Sequence, residues 1–232
     1  MKRLAILLLV AAPLAASAQS PAADTANDRS GLRAQEFWVG YSKSSPKWGV
    51  LGNRPGLSFA IAAARMTRRI KTTPGYALDW TVDIVPLALS SPPLGYEYYT
   101  KGYIDLKTPG PQVNSCLVQV FGCRFPNGSA YGAGVSPLGV TAVYHRDRMF
   151  QTRLGATGGI LMFDRAVPTV VSTRFNFTAT LEAGAQWLNR QGNGALLVYR
   201  FHHLSNAGTG YDNSALASHV ISVGVRWKTR GR

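Results

Sequence analysis

Long apolar segments and cysteines are both scarce in this sequence of 232 residues, and each shortage narrows the fold classes. Beyond the first eighteen residues no stretch offers the roughly 18 to 20 apolar residues that a membrane-spanning helix requires, which argues against a helical membrane protein. A membrane barrel stays open, because each of its strands needs only about 9 to 11 residues. The length after those residues suits one domain.

The two cysteines, Cys116 and Cys123, lie in a segment with turn residues at both ends. In an exported protein such a pair favours a disulfide that fixes a long loop, while two free thiols or half of a metal site are the alternatives. The sequence has no zinc-type spacing of cysteine and histidine, so a metal site has no support from the sequence. The surrounding segment, residues 92–127, is turn-rich and long enough to form a functional loop.

The N-terminus has the form of a secretory leader. Two basic residues precede an apolar stretch at 4–12, and Ala16-Ser17-Ala18 fits the small residues before a cleavage site. We therefore expect a signal peptide at 1–18, a disordered lead at 19–34, and one folded domain at 35–232. The chain would act beyond the inner membrane.

Acidic residues are also scarce, with 11 against 25 lysines and arginines. The formal net charge is +14, and it is +12 without Lys2 and Arg3 of the leader. An exported protein seldom meets nucleic acid, so we expect an anionic glycolipid surface as the partner rather than DNA or RNA. A basic surface that serves only solubility is the alternative.

Eight runs of two-residue alternation follow the leader. The alternation is clearest in the third, sixth and eighth runs, where one face is apolar over four or more positions and the other carries carboxylates, amides or arginine. Strands of this length with lipid on one side and a polar interior on the other predict an all-β, eight-stranded antiparallel transmembrane β-barrel. A soluble β-sandwich is the alternative, although its strands are usually shorter. The runs lie near 35–42, 57–68, 75–87, 137–146, 150–162, 173–187, 194–204 and 217–227.

Tryptophans add modest support to the barrel. Trp38, Trp48, Trp80, Trp187 and Trp227 lie mostly near the ends of runs, where the aromatic girdles of membrane barrels are found.

A polar pair stands at the end of the seventh run. His203 and Ser205 share the parity of Leu197, Tyr199 and Phe201, which predicts that both face lipid, whereas His202 faces inward as a structural residue. Residues two apart on a strand are about 6.5 to 7 Å apart along the backbone, close enough for an imidazole to act as general base for a hydroxyl. A nucleophile placed there would act on an ester of a membrane lipid.

The stretch His203-Leu204-Ser205-Asn206-Ala207-Gly208 resembles the H-x-S-N-A-G motif of the lipid A 3-O-deacylase family, also called acyloxyacyl hydrolases. Looser likeness extends over 82–86, 131–139 and 163–177. The resemblance implies an eight-stranded outer-membrane barrel that hydrolyses an ester-linked acyl chain of lipid A, the membrane anchor of lipopolysaccharide. It implies His203 as base and Ser205 as nucleophile, with Asn206 and the N–H of Gly208 as the oxyanion hole, and neither metal nor organic cofactor.

The carboxylate that orients the histidine in that family lies twelve residues after the serine, where this chain has Ala217. Three explanations are open. Asp212 supplies the acid from the loop; Ser218 or His219 orients the base more weakly; or the site has lost its chemistry and the protein is a structural or lipid-binding barrel of the same fold. Glu182 is a poor substitute because its parity places it inside the barrel. The sequence also leaves open whether the barrel forms a homodimer.

Overall fold

The structure, a computed structural model, describes residues 34–43, 57–91, 128–169, 172–210 and 215–229. Several predicted features therefore lie outside the described residues: the signal peptide, nearly all of the lead, Trp48, the whole 92–127 segment with its cysteine pair, and Asp212. No helix that is long and apolar enough to cross a membrane occurs in these ranges.

The described chain is a single antiparallel sheet of eight strands that closes on itself, with each strand paired to its neighbours in sequence and β1 paired to β8. The prediction of an eight-stranded antiparallel barrel is confirmed, and the alternative of a two-sheet sandwich is wrong. Closure leaves no strand edge unpaired. The strands are β1 Ala34–Ser42, β2 Ser58–Thr72, β3 Tyr76–Ser91, β4 Ala130–Tyr144, β5 Phe150–Val167, β6 Thr173–Leu188, β7 Gly194–Ser205 and β8 Leu216–Lys228.

The two ends of the barrel differ in their connections. At one end the connections are short: three residues between β2 and β3, five between β4 and β5, and five between β6 and β7. At the other end the connections include the ten residues after β7 and the 38 residues between β3 and β4. We call these the short-turn end and the long-loop end. His203 and Ser205 lie at the long-loop end.

Strand β4 begins earlier than the sequence indicated, because Ala130–Ser136 reads as a glycine-rich turn. Gly134 fits there since β4 and β5 approach closely: a Cβ on Gly134 would lie 2.0 Å from the carbonyl oxygen of Ile160. Pro137 falls at a register shift between β4 and β5, where a missing N–H is tolerated. Close contact and a bulge therefore explain residues that normally mark a turn.

The interior is filled in two layers. An apolar cluster occupies the half towards the long-loop end, and Leu204 and Leu216, the last pair of β7 and β8, belong to it. A network of buried charged residues fills the rest: Glu36, Arg65, Asp83, Arg153, Glu182, Arg200 and Arg226. Buried ions are tolerated when they are paired and hydrogen-bonded, so this layer is a packed polar core rather than a channel.

Glu182 is the centre of that network. Its carboxylate accepts hydrogen bonds from Arg65 at 2.8 and 3.0 Å, from Arg153 at 3.1 Å and from Thr141 at 3.1 Å. It also lies 3.3 Å from the Arg200 guanidinium. The inward position expected for Glu182 is therefore confirmed, and this carboxylate is unavailable to a histidine on the outer surface.

The outer surface carries the apolar halves of the strands. Leu181, Ile221 and Val223 are more than half exposed, as a surface facing hydrocarbon requires. Trp80, Trp187 and Trp227 are exposed near the short-turn end, in agreement with a girdle there. Trp38 differs: it is 4% exposed and points inward beneath the guanidinium of Arg200, 3.9 Å from its ring. Placing Trp38 in a girdle was wrong, because it lies in mid-strand with inward parity.

Candidate active site

Strand β7 separates the two neighbouring histidines onto opposite faces of the barrel wall. His202 is buried, on the face of Val198 and Arg200, whereas His203 has the parity of the exposed Leu197 and Tyr199. Alternation along a strand forces this split. The outward placement of His203 and the inward placement of His202 are as the sequence indicated.

His202 is a structural residue of the interior. Its Nδ1 shares a hydrogen bond with the Thr180 hydroxyl at 2.8 Å, and its ring stacks on Phe59 with centroids 5.0 Å apart. It borders an internal cavity of about 20 Å³, also lined by Arg200, which has room for about one water molecule. These contacts fix the end of β7 from the inside, directly behind His203 and Ser205.

On the outside, His203 lies between two alanines. Its partner on β6 is Ala179 and its partner on β8 is Ala217, while Phe177 stands opposite Ser205 one row nearer the long-loop end. The imidazole is partly exposed. The His203 Nδ1 atom itself is buried and has no hydrogen-bond partner within the described ranges.

The position of the expected acid is therefore filled by a methyl group. Ala217 is 2% exposed, and its Cα pairs with that of His203 across β7 and β8. Ser218 follows it with inward parity, pairs with His202 and is fully buried, so its hydroxyl cannot orient the outward His203. Asp212 lies outside the described residues.

His219 faces outward, one row from Ala217, but its Nδ1 is engaged by the Tyr199 hydroxyl at 2.5 Å. Its ring also packs edge-on against Phe201, with centroids 5.6 Å apart. His219 therefore forms a polar and aromatic cluster with Tyr199 and Phe201 on the lipid-facing wall, below His203. Sequence reasoning had not assembled this cluster, although parity alone places all three side chains outward.

A tight turn follows Ser205. The N–H of Thr209 donates to the carbonyl of Asn206 at 3.1 Å, and the two central residues, Ala207 and Gly208, have φ values of 52° and 78°. Glycine adopts such values without strain, whereas alanine does so at a cost of about 1 kcal/mol or more. Ala207 is thus a locally strained position two residues after the predicted nucleophile Ser205.

Side chains of the motif stabilise that turn. The Ser205 Oγ accepts a hydrogen bond from the N–H of Ala207 at 3.1 Å, and the Asn206 Oδ1 accepts one from the N–H of Gly208 at 3.0 Å. Serine and asparagine form such local bonds readily. The two predicted oxyanion-hole residues thus lie next to Ser205, but the Gly208 N–H is engaged within the turn and Asn206 is fully buried.

No group of three or more histidine, cysteine, aspartate or glutamate side chains in the described part of the chain is arranged to hold a metal ion.

Comparison with solved structures found chains that are similar to this one at low sequence identity. The chain covers 97% of the outer-membrane enzyme PagL, with 82% of its own length aligned, 12% identity and a TM-score of 0.49. It covers 98% of Neisserial surface protein A, with 86% of its own length aligned, 14% identity and a TM-score of 0.40. It covers 100% of the attachment invasion locus protein Ail of Yersinia pestis, with 85% of its own length aligned, 10% identity and a TM-score of 0.31.

A search of curated proteins gave no match. The family model described as lipid A 3-O-deacylase (PagL) matches residues 75–226, well over half of the chain and a range that includes β3 to β7, most of β8 and the H-x-S-N-A-G motif. The chain therefore belongs to the lipid A 3-O-deacylase family of outer-membrane β-barrels.

Proposed function

We propose that this protein is an outer-membrane esterase that hydrolyses an ester-linked acyl chain of lipid A, with Ser205 as nucleophile and His203 as general base. The observation that carries the proposal is the position of the pair. Both side chains lie on the outward face of β7 at the long-loop end, inside the region that matches the family. The bond to the turn accounts for the Ser205 hydroxyl only in part and does not account for the imidazole, and an ionisable group on a lipid-facing wall is expected to have a function.

The position also agrees with the substrate. Outer-membrane barrels place short turns in the periplasm and longer loops outside the cell. The long-loop end then lies in the outer leaflet, which contains lipopolysaccharide, and the ester bonds of lipid A lie at the boundary between sugar and hydrocarbon. Ser205 is the last residue of β7, at that same boundary.

The chemistry would be a two-step acyl transfer. His203 takes the proton of Ser205 as Oγ attacks the ester carbonyl. The tetrahedral intermediate then collapses, the bond to the sugar oxygen breaks, and this oxygen receives the proton from His203 and leaves as a sugar hydroxyl. Water, activated by His203, then cleaves the acyl-serine and releases the fatty acid. In this scheme the buried amide of Asn206 and the N–H of Gly208 stabilise the oxyanion, and the Gly208 N–H exchanges its bond with Asn206 for one with substrate.

The scheme needs a group to support the imidazolium, and Ala217 does not provide one. We assign that role to Asp212, the carboxylate in the loop between β7 and β8, which lies five residues before Ala217 in sequence. A carboxylate bonded to Nδ1 fixes the tautomer and stabilises the charged ring, and its loss is worth about 10⁴ in rate in a triad enzyme.

The test is mass spectrometry of purified lipid A incubated with the refolded protein in detergent. We expect the parent protein to remove one hydroxyacyl chain, and Ser205→Ala and His203→Ala each to lower that rate by at least about 10³-fold. Thr152→Ala is the matched control, since Thr152 and His145 form a hydroxyl–imidazole pair at the opposite end of the barrel. Full activity in Ser205→Ala would refute the assignment.

The second candidate is a structural or lipid-binding barrel that has lost its chemistry. Ala217 and the unpartnered Nδ1 of His203 favour it. Unchanged lipid A with folded parent protein, together with retention of lipid A by that protein, would support this alternative.

A further inference from the structure

Several arginine and lysine side chains lie exposed around the short-turn end, and four of them belong to the three hairpins that meet there. Arg68 and Lys71 are on the last part of β2, Arg148 is in the β4–β5 turn, and Arg190 is in the β6–β7 turn. We call these four residues the basic collar. They come from three hairpins, so they are distributed around the barrel rather than clustered on one side.

The described residues do not neutralise the basic collar. None of its four members takes part in an ion pair in the described part of the chain. Two other cations at this end, Arg69 and Arg146, are paired with Asp79 and Asp147 respectively. Asp147 is the only exposed acid at this end among the described residues.

A band of exposed aromatic rings accompanies the basic collar. Trp80 pairs with Arg68 across β2 and β3, and Phe150 packs on Trp187 with ring centroids 5.4 Å apart. On β8, the Trp227 indole N–H donates to Gln35 at 2.9 Å. Aromatic rings of this kind mark the level of lipid head groups, so the basic collar lies at or just beyond that level.

We propose that the basic collar binds the phosphate groups of anionic phospholipids in the leaflet around the short-turn end. A basic side chain at a membrane surface attracts anionic lipid, and a ring of them without acidic partners acts on lipids all around the barrel. This leaflet is opposite the one that contains Ser205. The inference is therefore independent of the proposed deacylase activity.

The experiment measures which lipids contact the barrel. The mature protein is reconstituted in phosphatidylcholine bilayers that contain spin-labelled phosphatidylglycerol or spin-labelled phosphatidylcholine, and the immobilised fraction is read by electron paramagnetic resonance. We expect about a 5-fold preference for the anionic label, weakening strongly at about 1 M salt. The collar variant Arg68→Gln/Arg148→Gln/Arg190→Gln should lower the preference to less than about 2-fold.

A matched variant identifies the end of the barrel responsible. Lys43→Gln/Arg165→Gln removes two cations of the long-loop end that have no part in the proposed binding of lipid A, and it should leave the preference unchanged. Circular dichroism and resistance to unfolding by detergent confirm that both variants are folded. The proposal is overturned if the parent protein shows no preference, if the collar variant retains it, or if the long-loop variant abolishes it instead.

Discussion

His203 and Ala217 are directly opposed on β7 and β8, and the imidazole nitrogen Nδ1 is buried without a hydrogen-bond partner in the described structure. A buried nitrogen without a partner costs free energy and leaves the tautomer of the ring undetermined. The described barrel wall thus holds the proposed base two residues from Ser205 but does not itself supply the carboxylate that such a base requires.

Restoring an acid opposite His203 should increase activity. Ala217→Glu places a carboxylate across from His203 on the same outward face, where it can accept a hydrogen bond from Nδ1. Support of this kind is worth up to about 10⁴ in rate when nothing else provides it. Release of hydroxy fatty acid from lipid A, measured as initial rate, gives the change in kcat.

Ala179→Glu is the matched control, since Ala179 flanks His203 from β6 and is exposed. Equal gains in both variants would mean that added negative charge, rather than the orientation of His203, is responsible. If Ala217→Glu has no effect in a folded barrel, Asp212 already supports the base, and Asp212→Asn should then lower kcat by about 10²- to 10⁴-fold.

Asn206 has two roles that a single substitution can separate. Its Oδ1 holds the turn through the Gly208 N–H, and its amide donor is the proposed oxyanion ligand. Asn206→Asp keeps the acceptor and replaces the donor with an oxygen, so we expect the turn to persist while kcat falls by about 10²- to 10³-fold.

Asn206→Ala removes both groups and should in addition lower the thermal midpoint of unfolding. If Asn206→Asp remains fully active, the amide does not stabilise the oxyanion. Circular dichroism of the two variants in the same detergent distinguishes the loss of the turn from the loss of the donor.

The sequence predicted which face each strand residue occupies, because alternation depends only on local geometry. His202, His203 and Glu182 all lie on the predicted faces. Trp38 was misassigned because the tryptophans were assigned to the girdle as a group, without a check of the parity of each one. Parity places Trp38 inside the barrel.

Pairing between distant strands could not be predicted in the same way. Glu36 and Arg153 are 117 residues apart and meet only because the barrel closes with a particular stagger. The opposition of His203 and Ala217 likewise depends on the register of β7 and β8, across a loop whose length alone does not fix it.

Arg174 is expected to recognise a phosphate of the substrate. It is exposed at the start of β6, three residues before Phe177, whose partner is Ser205. Arg174 therefore lies about 10 Å along β6 from Phe177. It lies on the side where the sugar head group of a lipid bound at Ser205 would be. Arg174→Gln should raise KM for phosphorylated lipid A about 5- to 10-fold without changing kcat.

Dephosphorylated lipid A is the matched substrate, and its KM should not change in Arg174→Gln. Arg190→Gln, a change of the same type at the opposite end, should leave both KM values as they are. A similar rise in KM for both substrates would show that Arg174 acts on the fold of the site instead of on the phosphate.

Removing the charge of Glu182 should destabilise the whole barrel. Glu182→Gln leaves the guanidinium groups of Arg65, Arg153 and Arg200 without their shared carboxylate, and breaking a buried ion pair costs about 3 to 5 kcal/mol. Unfolding by guanidinium in micelles, followed by tryptophan fluorescence, measures the free energy. Asp147→Asn, at an exposed turn, should change it by less than about 0.5 kcal/mol. A Glu182→Gln barrel as stable as the parent would mean that the neighbouring Glu36 and Asp83 carboxylates suffice to compensate the buried arginines.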